Sequence, residues 1–271
     1  VTDENEYVLG THDDELRRLG FQHQVWAEQT ARLWEAARFA PGDHLLDLGS
    51  GPGYATADLA QRVGRSGSVV AVDMSRRFLG ALEALVAARE LHNVRWQEND
   101  AAALDIPDAS LNGVFARWLL CFTPDPAAVV KEVARVLAPG GRFAVLDYAN
   151  YEALTMAPAS DVVDRVLYAT GESVRVRGGT FAVGRMLPHF MQAAGLEVEY
   201  LEPVVRIARP GSALWQWPES FFANYLSTLV QMSLISAQDA TDFQQVWKER
   251  SADPSAYLIT PTMVSVVGVK R

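Results

Sequence analysis

Apolar positions along this chain follow two alternating rhythms. Leu16, Leu19, His23, Trp26, Leu33 and Ala37 recur at three- and four-residue steps, which predicts one amphipathic helix over about 13–39, stopped by Pro41-Gly42. From there short unbroken apolar runs exchange with helix-length stretches: strands over 43–48, 69–72, 94–97, 111–116 and 142–148, helices over 54–63, 76–91 and 126–137. An unbroken apolar run is how a parallel strand covered on both faces reads. Strands spaced by helices in this way predict an α/β fold built of βαβ units. Beyond Tyr148 the rhythm loosens into helices over 160–169 and 184–194, a basic glycine-bearing stretch over 174–179 and an alternating strand over 197–207. Two helical stretches over 219–235 and 237–250 precede a β-rich run over 257–269, suited to a last strand. No repeat, low-complexity segment or Gly/Ser linker divides the chain.

The first strand leads directly into Gly49-Ser50-Gly51-Pro52-Gly53, then into the first turn of a helix at Tyr54-Ala55-Thr56. Such a turn lets a ligand approach the backbone where a side chain would block it. Tyr54 or Thr56 stands where the pyrophosphate fingerprint Gly-x-Gly-x-x-Gly needs its last glycine, so a nucleoside without phosphates fits better than a dinucleotide. The second strand ends in Asp73, 20 residues past Gly53, where an acid accepts hydrogen bonds from ribose hydroxyls. Its other reading is a cap for the helix starting near Ser75.

Leu45 to Thr56, Val69 to Ser75 and Leu137-Ala138-Pro139-Gly140-Gly141-Arg142-Phe143 resemble, in order and spacing, the motifs of class I S-adenosylmethionine-dependent methyltransferases. The resemblance covers less than half the chain. It implies a Rossmann-like, mostly parallel seven-stranded sheet with helices on both faces, with S-adenosylmethionine as cofactor and S-adenosylhomocysteine as product. It further implies that Gly49, Ser50, Gly51 and Gly53 line the methionine part, Asp73 holds the ribose, Met74 packs on adenine, and Asn99-Asp100-Ala101 faces the adenine amino group. In relatives a helix before the first strand often folds over the cofactor, which brings Gln22 and His23 into view.

Composition narrows the field without naming a substrate. With 271 residues, one domain with insertions is expected: a helical cap over 1–40 and insertions over 151–183 and 208–255 forming a substrate lid. The net charge of -9 argues against a free-standing nucleic-acid binder. Cys121, the only cysteine, excludes an internal disulfide and a multi-cysteine zinc cluster, and points to a cytoplasmic home. Val1 to Glu6 is acidic and polar, unlike a signal peptide, and no run is long enough for a membrane span. No carboxylate-histidine cluster suggests a metal. A homodimer is compatible with all of this.

Ligands of open α/β sheets bind beyond the carboxyl ends of the strands. That removes His44 and His92, which begin strands, and leaves Ser50, Asp73, Asp100, Arg117-Trp118 and Asp147-Tyr148 at the tips. Arg117 and Trp118 are expected at the cofactor, where this fold usually brings donor and acceptor together. Neither an (Asp/Asn/Ser)-Pro-Pro-(Tyr/Phe) base grip nor a Pro-Cys nucleophile is present. Cys121 is expected as a small core residue, though it adjoins the candidate pocket. His23, Tyr148 and His189 are the general-base candidates if the reaction needs one, although His23 reads first as a histidine satisfied at the edge of the apolar stripe. Trp215, Trp217, Phe221 and Phe222, with Tyr151, are expected to wall an apolar acceptor pocket. The alternative is that the insertion's aromatic residues are its own core.

The chain is therefore expected to transfer a methyl group to O, N or C of a small aromatic or amphipathic molecule of natural-product type. RNA or protein methylation, an NAD(P) oxidoreductase and a non-catalytic nucleoside-binding protein are the rival readings.

Overall fold

A computed structural model describes residues 13–271, so the first part of the expected 1–40 cap, including the acidic run at its start, lies outside the described residues. The expected single N-terminal helix is two, α1 (Asp13–Val25) and α2 (Ala27–Ala36). Between them Trp26 adopts φ -106 and ψ 10, and its ring is wholly buried, 5.0 Å from Trp217 and 5.9 Å from Trp118. With neither Gly nor Pro at the break, the bend follows from seating this indole.

The core then runs β1 (His44–Leu48), α3 (Tyr54–Val63), β2 (Ser68–Asp73), α4 (Arg76–Ala88), β3 (Val94–Glu98), β4 (Leu111–Arg117), α5 (Pro126–Val136) and β5 (Leu137–Asn150). Ser75 caps α4 by accepting from the Phe78 amide, and Asp125 caps α5 by accepting from the Ala128 amide with Pro126 in the first turn. β5 is longer than the sequence suggests because Pro139-Gly140-Gly141 is carried inside the strand as an irregularity: Leu111 faces Leu137, but Gly113 already faces Arg142.

The second half comprises β6 (Thr155–Ala157), α6 (Asp161–Arg175), α7 (Leu187–Ala193), β7 (Leu196–Val204), β8 (Ile207–Ala208), α8 (Ala213–Gln231), α9 (Ala237–Ala252), β9 (Tyr257–Ile259) and β10 (Thr262–Lys270). α8 starts earlier than expected, since Ser212 Oγ accepts from the Trp215 amide. A reciprocal box of Ser236 and Asp239 opens α9. The run over 257–269 is two strands, broken at Thr260-Pro261, where the Thr260 amide donates to the Arg206 carbonyl.

Seven strands form one sheet in the order β3-β2-β1-β4-β5-β10-β7, with the first five parallel and β10 antiparallel to both neighbours. This is the Rossmann-like α/β sheet expected from the motifs. A small sheet, β6-β9-β8, ties three distant segments together. Leu45, Leu46, Leu48, Val114, Phe143 and Val145 are wholly buried between the helical layers. Chain order reverses between β1 and β4, and the crevice beyond the carboxyl ends of those strands is where such a sheet receives a ligand. Among the described residues no helix is long and apolar enough to cross a membrane.

Candidate functional site

A cavity of about 590 Å³ occupies that crevice, lined by the loops that leave β1, β2, β3 and β4. Gly49, Gly51 and Gly53 all have positive φ (71, 53 and 85), but they do different work. A Cβ on Gly51 would meet nothing within 4 Å, so the space there is free for a ligand. Gly53 lies off the cavity: a Cβ there would come within 2.6 Å of Leu82 on α4, so its bareness serves helix packing. Of the glycines expected at the cofactor, Gly53 is the one that does not line the cavity. Ser50 Oγ is buried beside the cavity with no hydrogen-bond partner among the described residues, a polar atom awaiting a ligand group or water.

Asp73 reaches into the same cavity and ties its walls together. One carboxylate oxygen accepts from the Gly51 amide at 2.8 Å and the other from the Ser75 amide at 2.8 Å. Ser75, not Asp73, supplies the side-chain cap of α4. Burial holds the Asp73 carboxyl above its ordinary value, with the backbone N–H groups of Ser75, Gly51 and Met74 working against that rise. About four lone-pair sites against three amide donors leave room for a ribose hydroxyl to donate as well. Met74 is 52% exposed at the cavity's edge, and Asn99, Asp100 and Ala101 line its far side.

Arg117 closes the cavity floor. One guanidinium nitrogen donates to Thr30 Oγ1 at 2.8 Å and another to His23 Nδ1 at 3.2 Å. Burial pulls it down to about 10, opposed by the charges of Asp47 and Asp58. Asp47, buried beside it and bonded by Thr56 Oγ1 at 2.6 Å, is pushed up to about 6 by burial. Since Arg117 can only donate, His23 Nδ1 accepts, and Nε2 carries the proton given to Asp58 at 2.9 Å. His23 lines neither cavity and its lone pair is already engaged, so the structure places it as a strut between α1 and the core. His189 is exposed on α7, which packs on β7 and α5, away from both cavities.

A second, smaller cavity of about 40 Å³ adjoins the first, sharing Gln22, Trp118 and Phe122 with it. Its other walls are Arg18, Tyr148, Tyr151, Leu154, Phe181, Trp217, Pro218 and Phe221. Trp118 separates the two spaces, with φ +51, a left-handed backbone that a bulky residue adopts only under constraint from its surroundings. Its ring stacks 6.1 Å from both Tyr148 and Trp217, and its Nε1 points at Met263 Sδ, 3.2 Å away. Gln22 Oε1 accepts from Trp217 Nε1 (2.9 Å) and from Arg18 (3.0 Å), linking α8 to α1.

The aromatic residues of the insertion divide. Trp217 and Phe221 reach the second cavity, whereas Trp215 and Phe222 pack into a ring cluster with Phe243 and Trp247 and line neither. Cys121 also lies off both: its amide donates to Asp147, and burial pushes its thiol well above the usual range, so it is an inert core residue. Tyr148 lies where expected, but burial lifts its phenol well above ordinary values, which suits a donor and not a base. Sequence reading missed Arg18, Phe181 and Asp47. Arg18 could have been found on the apolar stripe of α1, three residues from its partner Glu15; Phe181 carries no local signal. Among the described residues no group of three or more His, Cys, Asp or Glu side chains could hold a metal ion.

Residues 46–145 match a family described as a methyltransferase domain. A 2-phytyl-1,4-naphthoquinone methyltransferase of Synechococcus elongatus is 36% identical over 128 residues, 46% of this chain and 53% of that protein. A ubiquinone/menaquinone biosynthesis C-methyltransferase of Teredinibacter turnerae is 30% identical over 168 residues, 60% of this chain and 68% of that one. The chain spans about half the length of most of the curated relatives it matches. Among solved structures, the YcgJ protein of Bacillus subtilis superposes with a TM-score of 0.61 at 18% identity, covering 89% of this chain and 97% of the other, which speaks to the fold alone.

Proposed function

From the chain's membership of the class I S-adenosylmethionine-dependent methyltransferases, we propose that it methylates O, N or C of a small, planar, largely apolar molecule held in the aromatic cavity behind Trp118. The observation that supports this reading most is the shared wall: Trp118 borders both the glycine-loop cavity and the aromatic one. Bound S-adenosylmethionine supplies an electrophilic methyl group on a sulfonium sulfur. The residues present fit it: Gly51 leaves backbone room for the methionine part, with Gly49 beside it on the cavity and packed against Leu119, Asp73 accepts from the ribose hydroxyls, and Met74 with Asn99, Asp100 and Ala101 receives the adenine. Arg117 and Trp118 hold the floor between donor and acceptor.

The relatives' names point to quinone-type rings, consistent with an aromatic enclosure. A cavity needs about 10–15 Å³ to hold one water, so 40 Å³ admits a few waters and no ring. Entry of an acceptor therefore requires the 208–255 segment, through Trp217, Pro218 and Phe221 of α8, to move outward and close again. Alignment and water exclusion in that closed form supply much of the rate, up to about 7–11 kcal/mol in well-oriented systems.

Calorimetry with S-adenosylhomocysteine and NADH, followed by turnover of hydroquinones and phenols beside bulk RNA, tests the reading. S-adenosylhomocysteine should bind, NADH should not, and small rings should be methylated; NADH binding, or methylation of RNA alone, would sink it. Within the same assay Asp73→Asn should weaken S-adenosylhomocysteine about 10–150-fold, the 1.5–3 kcal/mol of hydrogen bonds to a charged acceptor. It should also soften the glycine loop, because the Gly51 and Ser75 amides share that carboxylate. Unchanged affinity with a lower melting temperature would show Asp73 to be a purely structural anchor.

A further inference from the structure

Two buried phenols in the second cavity are without partners. Tyr148 and Tyr151 are 8% and 7% exposed, both line the cavity, and neither hydroxyl has a hydrogen-bond partner among the described residues. The fully buried orphan atoms of the structure include Trp26 Nε1 and Trp34 Nε1 but not these two hydroxyls, so the hydroxyls open onto the cavity and are not sealed in packing. Their rings are fixed: Tyr148 lies 5.4 Å from Tyr151 and 5.0 Å from Phe181, and Tyr151 stacks 4.5 Å from Phe181. A polar group held this firmly needs a partner from within the cavity, water when the cavity is empty and a ligand atom when an acceptor fills it, since a donor left without either costs about 1–3 kcal/mol.

The chemistry of that ligand atom follows from what else faces it. Among the described residues no carboxylate or histidine lines the cavity, and the one charged residue that does is Arg18. Its guanidinium is clamped to buried Glu15 (2.7 and 2.6 Å) and to Gln22, and its positive charge is felt by both phenols. Burial drives both phenols upward, so each keeps its proton and can donate. Two O–H donors lining the same small cavity as a guanidinium describe a seat for an oxygen that carries negative charge.

Building on the methyl-transfer reading above, we propose that Tyr148 and Tyr151 are specificity-determining residues that bind the acceptor's ring oxygen as its anion, a phenolate or the enolate of a hydroquinone. The acceptor reaches the cavity already deprotonated. Its electron pair forms the new O–CH3 or C–CH3 bond, while the pair of the breaking C–S bond stays on sulfur, leaving a neutral thioether. Anion and sulfonium charges cancel: an O-methylated ring needs no proton removed, and a C-methylated one leaves as its keto tautomer and gives up the proton of the methylated carbon to solvent, so neither course calls for a base among the described residues of the cavity.

4-Nitrophenol, whose ionised and neutral forms differ in visible absorbance, tests this directly, with non-ionisable 4-nitroanisole as its control. Titrated into the full chain with and without S-adenosylhomocysteine, the bound phenol should show the phenolate spectrum at a pH where the free probe is mostly protonated. Its titration midpoint should fall by about one unit, a tenfold preference for the anion, and 4-nitroanisole should compete poorly. Tyr148→Phe and Tyr151→Phe keep the ring contacts and should each erode that preference several-fold while S-adenosylhomocysteine affinity stays unchanged. A bound probe that remains neutral, anisole binding as tightly as phenol, absence of probe binding, or Phe variants identical to the parent would each overturn the proposal. Failure of S-adenosylhomocysteine to bind would instead strike the methyl-transfer reading, and the probe spectra without it would still decide the role of the tyrosines.

Discussion

Phe222→Ala should lower folding stability by about 3–5 kcal/mol, the range for emptying a buried aromatic site, and leave ligand affinities of the folded protein nearly intact. Phe222 is 1% exposed, its ring sits 4.8 Å from Phe243 and 6.3 Å from Trp247, and it touches neither cavity. Trp217 and Phe221, four residues and about one helical turn apart from each other, face the second cavity instead. Trp217→Phe should therefore behave oppositely. It keeps an aromatic ring near Trp26 and Trp118 but removes the hydrogen bond to Gln22, so its melt should shift by about 0.5–1.5 kcal/mol. Acceptor turnover should fall by about tenfold while S-adenosylhomocysteine affinity holds, since that ligand contacts the other side of Trp118. Denaturant melts beside calorimetry and turnover separate the two. Should Phe222→Ala melt like the parent, or Trp217→Phe turn over like it, the division of α8 into a core face and a cavity face is wrong.

The second large effect is one of pH, and it sits on Asp147. This carboxylate is 0% exposed, accepts from the amides of Tyr148 (2.8 Å) and Cys121 (3.2 Å), and is pushed by burial from 3.8 up to about 6. A carboxyl whose folded value exceeds its unfolded value favours the fold when protonated. Its contribution is complete below about pH 4 and is lost as pH rises through about 6. Two units correspond to about 3 kcal/mol. Asp147→Asn, neutral throughout, should gain on the parent by up to about that amount between pH 4 and 7. The amide imposes its own constant offset because it cannot accept every N–H the carboxylate does, so the readout is the slope of the stability difference against pH. Asp47, also near 6, is common to both proteins and drops out of that difference, and the Cys121 thiol stays neutral across the window. A difference that is flat with pH would mean that Asp147 is not the group titrating.

What could be read from sequence was what neighbours in the chain decide. The strand, glycine turn and helix at 45–56 and the acid at 73 obey local steric and electrostatic rules, and they stand on one crevice as the pattern suggested, apart from Gly53, whose contact with Leu82 is made across helices. Residues whose position depends on distant partners were not legible. The β8 and β9 strands of two and three residues exist because Ile207 pairs with Ile259 and Ala208 with Leu258; nothing in either short segment announces the other. Phe181 reaches the second cavity from a loop that carries no periodic signal. Trp26 bends a helix whose pattern runs straight through it, because three indoles meet there. The same limit explains why an aromatic-rich insertion could be recognised from composition but not sorted into cavity wall and core.

Gln22 carries one more consequence. Its amide borders both cavities while its oxygen is held by Trp217 of the α8 wall and by Arg18. A nucleoside that drew Gln22 toward it would strain or release that hold, so filling one compartment alters the work of opening the other. Thermodynamic linkage then makes the influence mutual: whatever factor the nucleoside imposes on the ring's dissociation constant, the ring imposes on the nucleoside's. On the proposed function, a pull on Gln22 that frees Trp217 makes the two occupants favour each other, so each is held more firmly while the other stays.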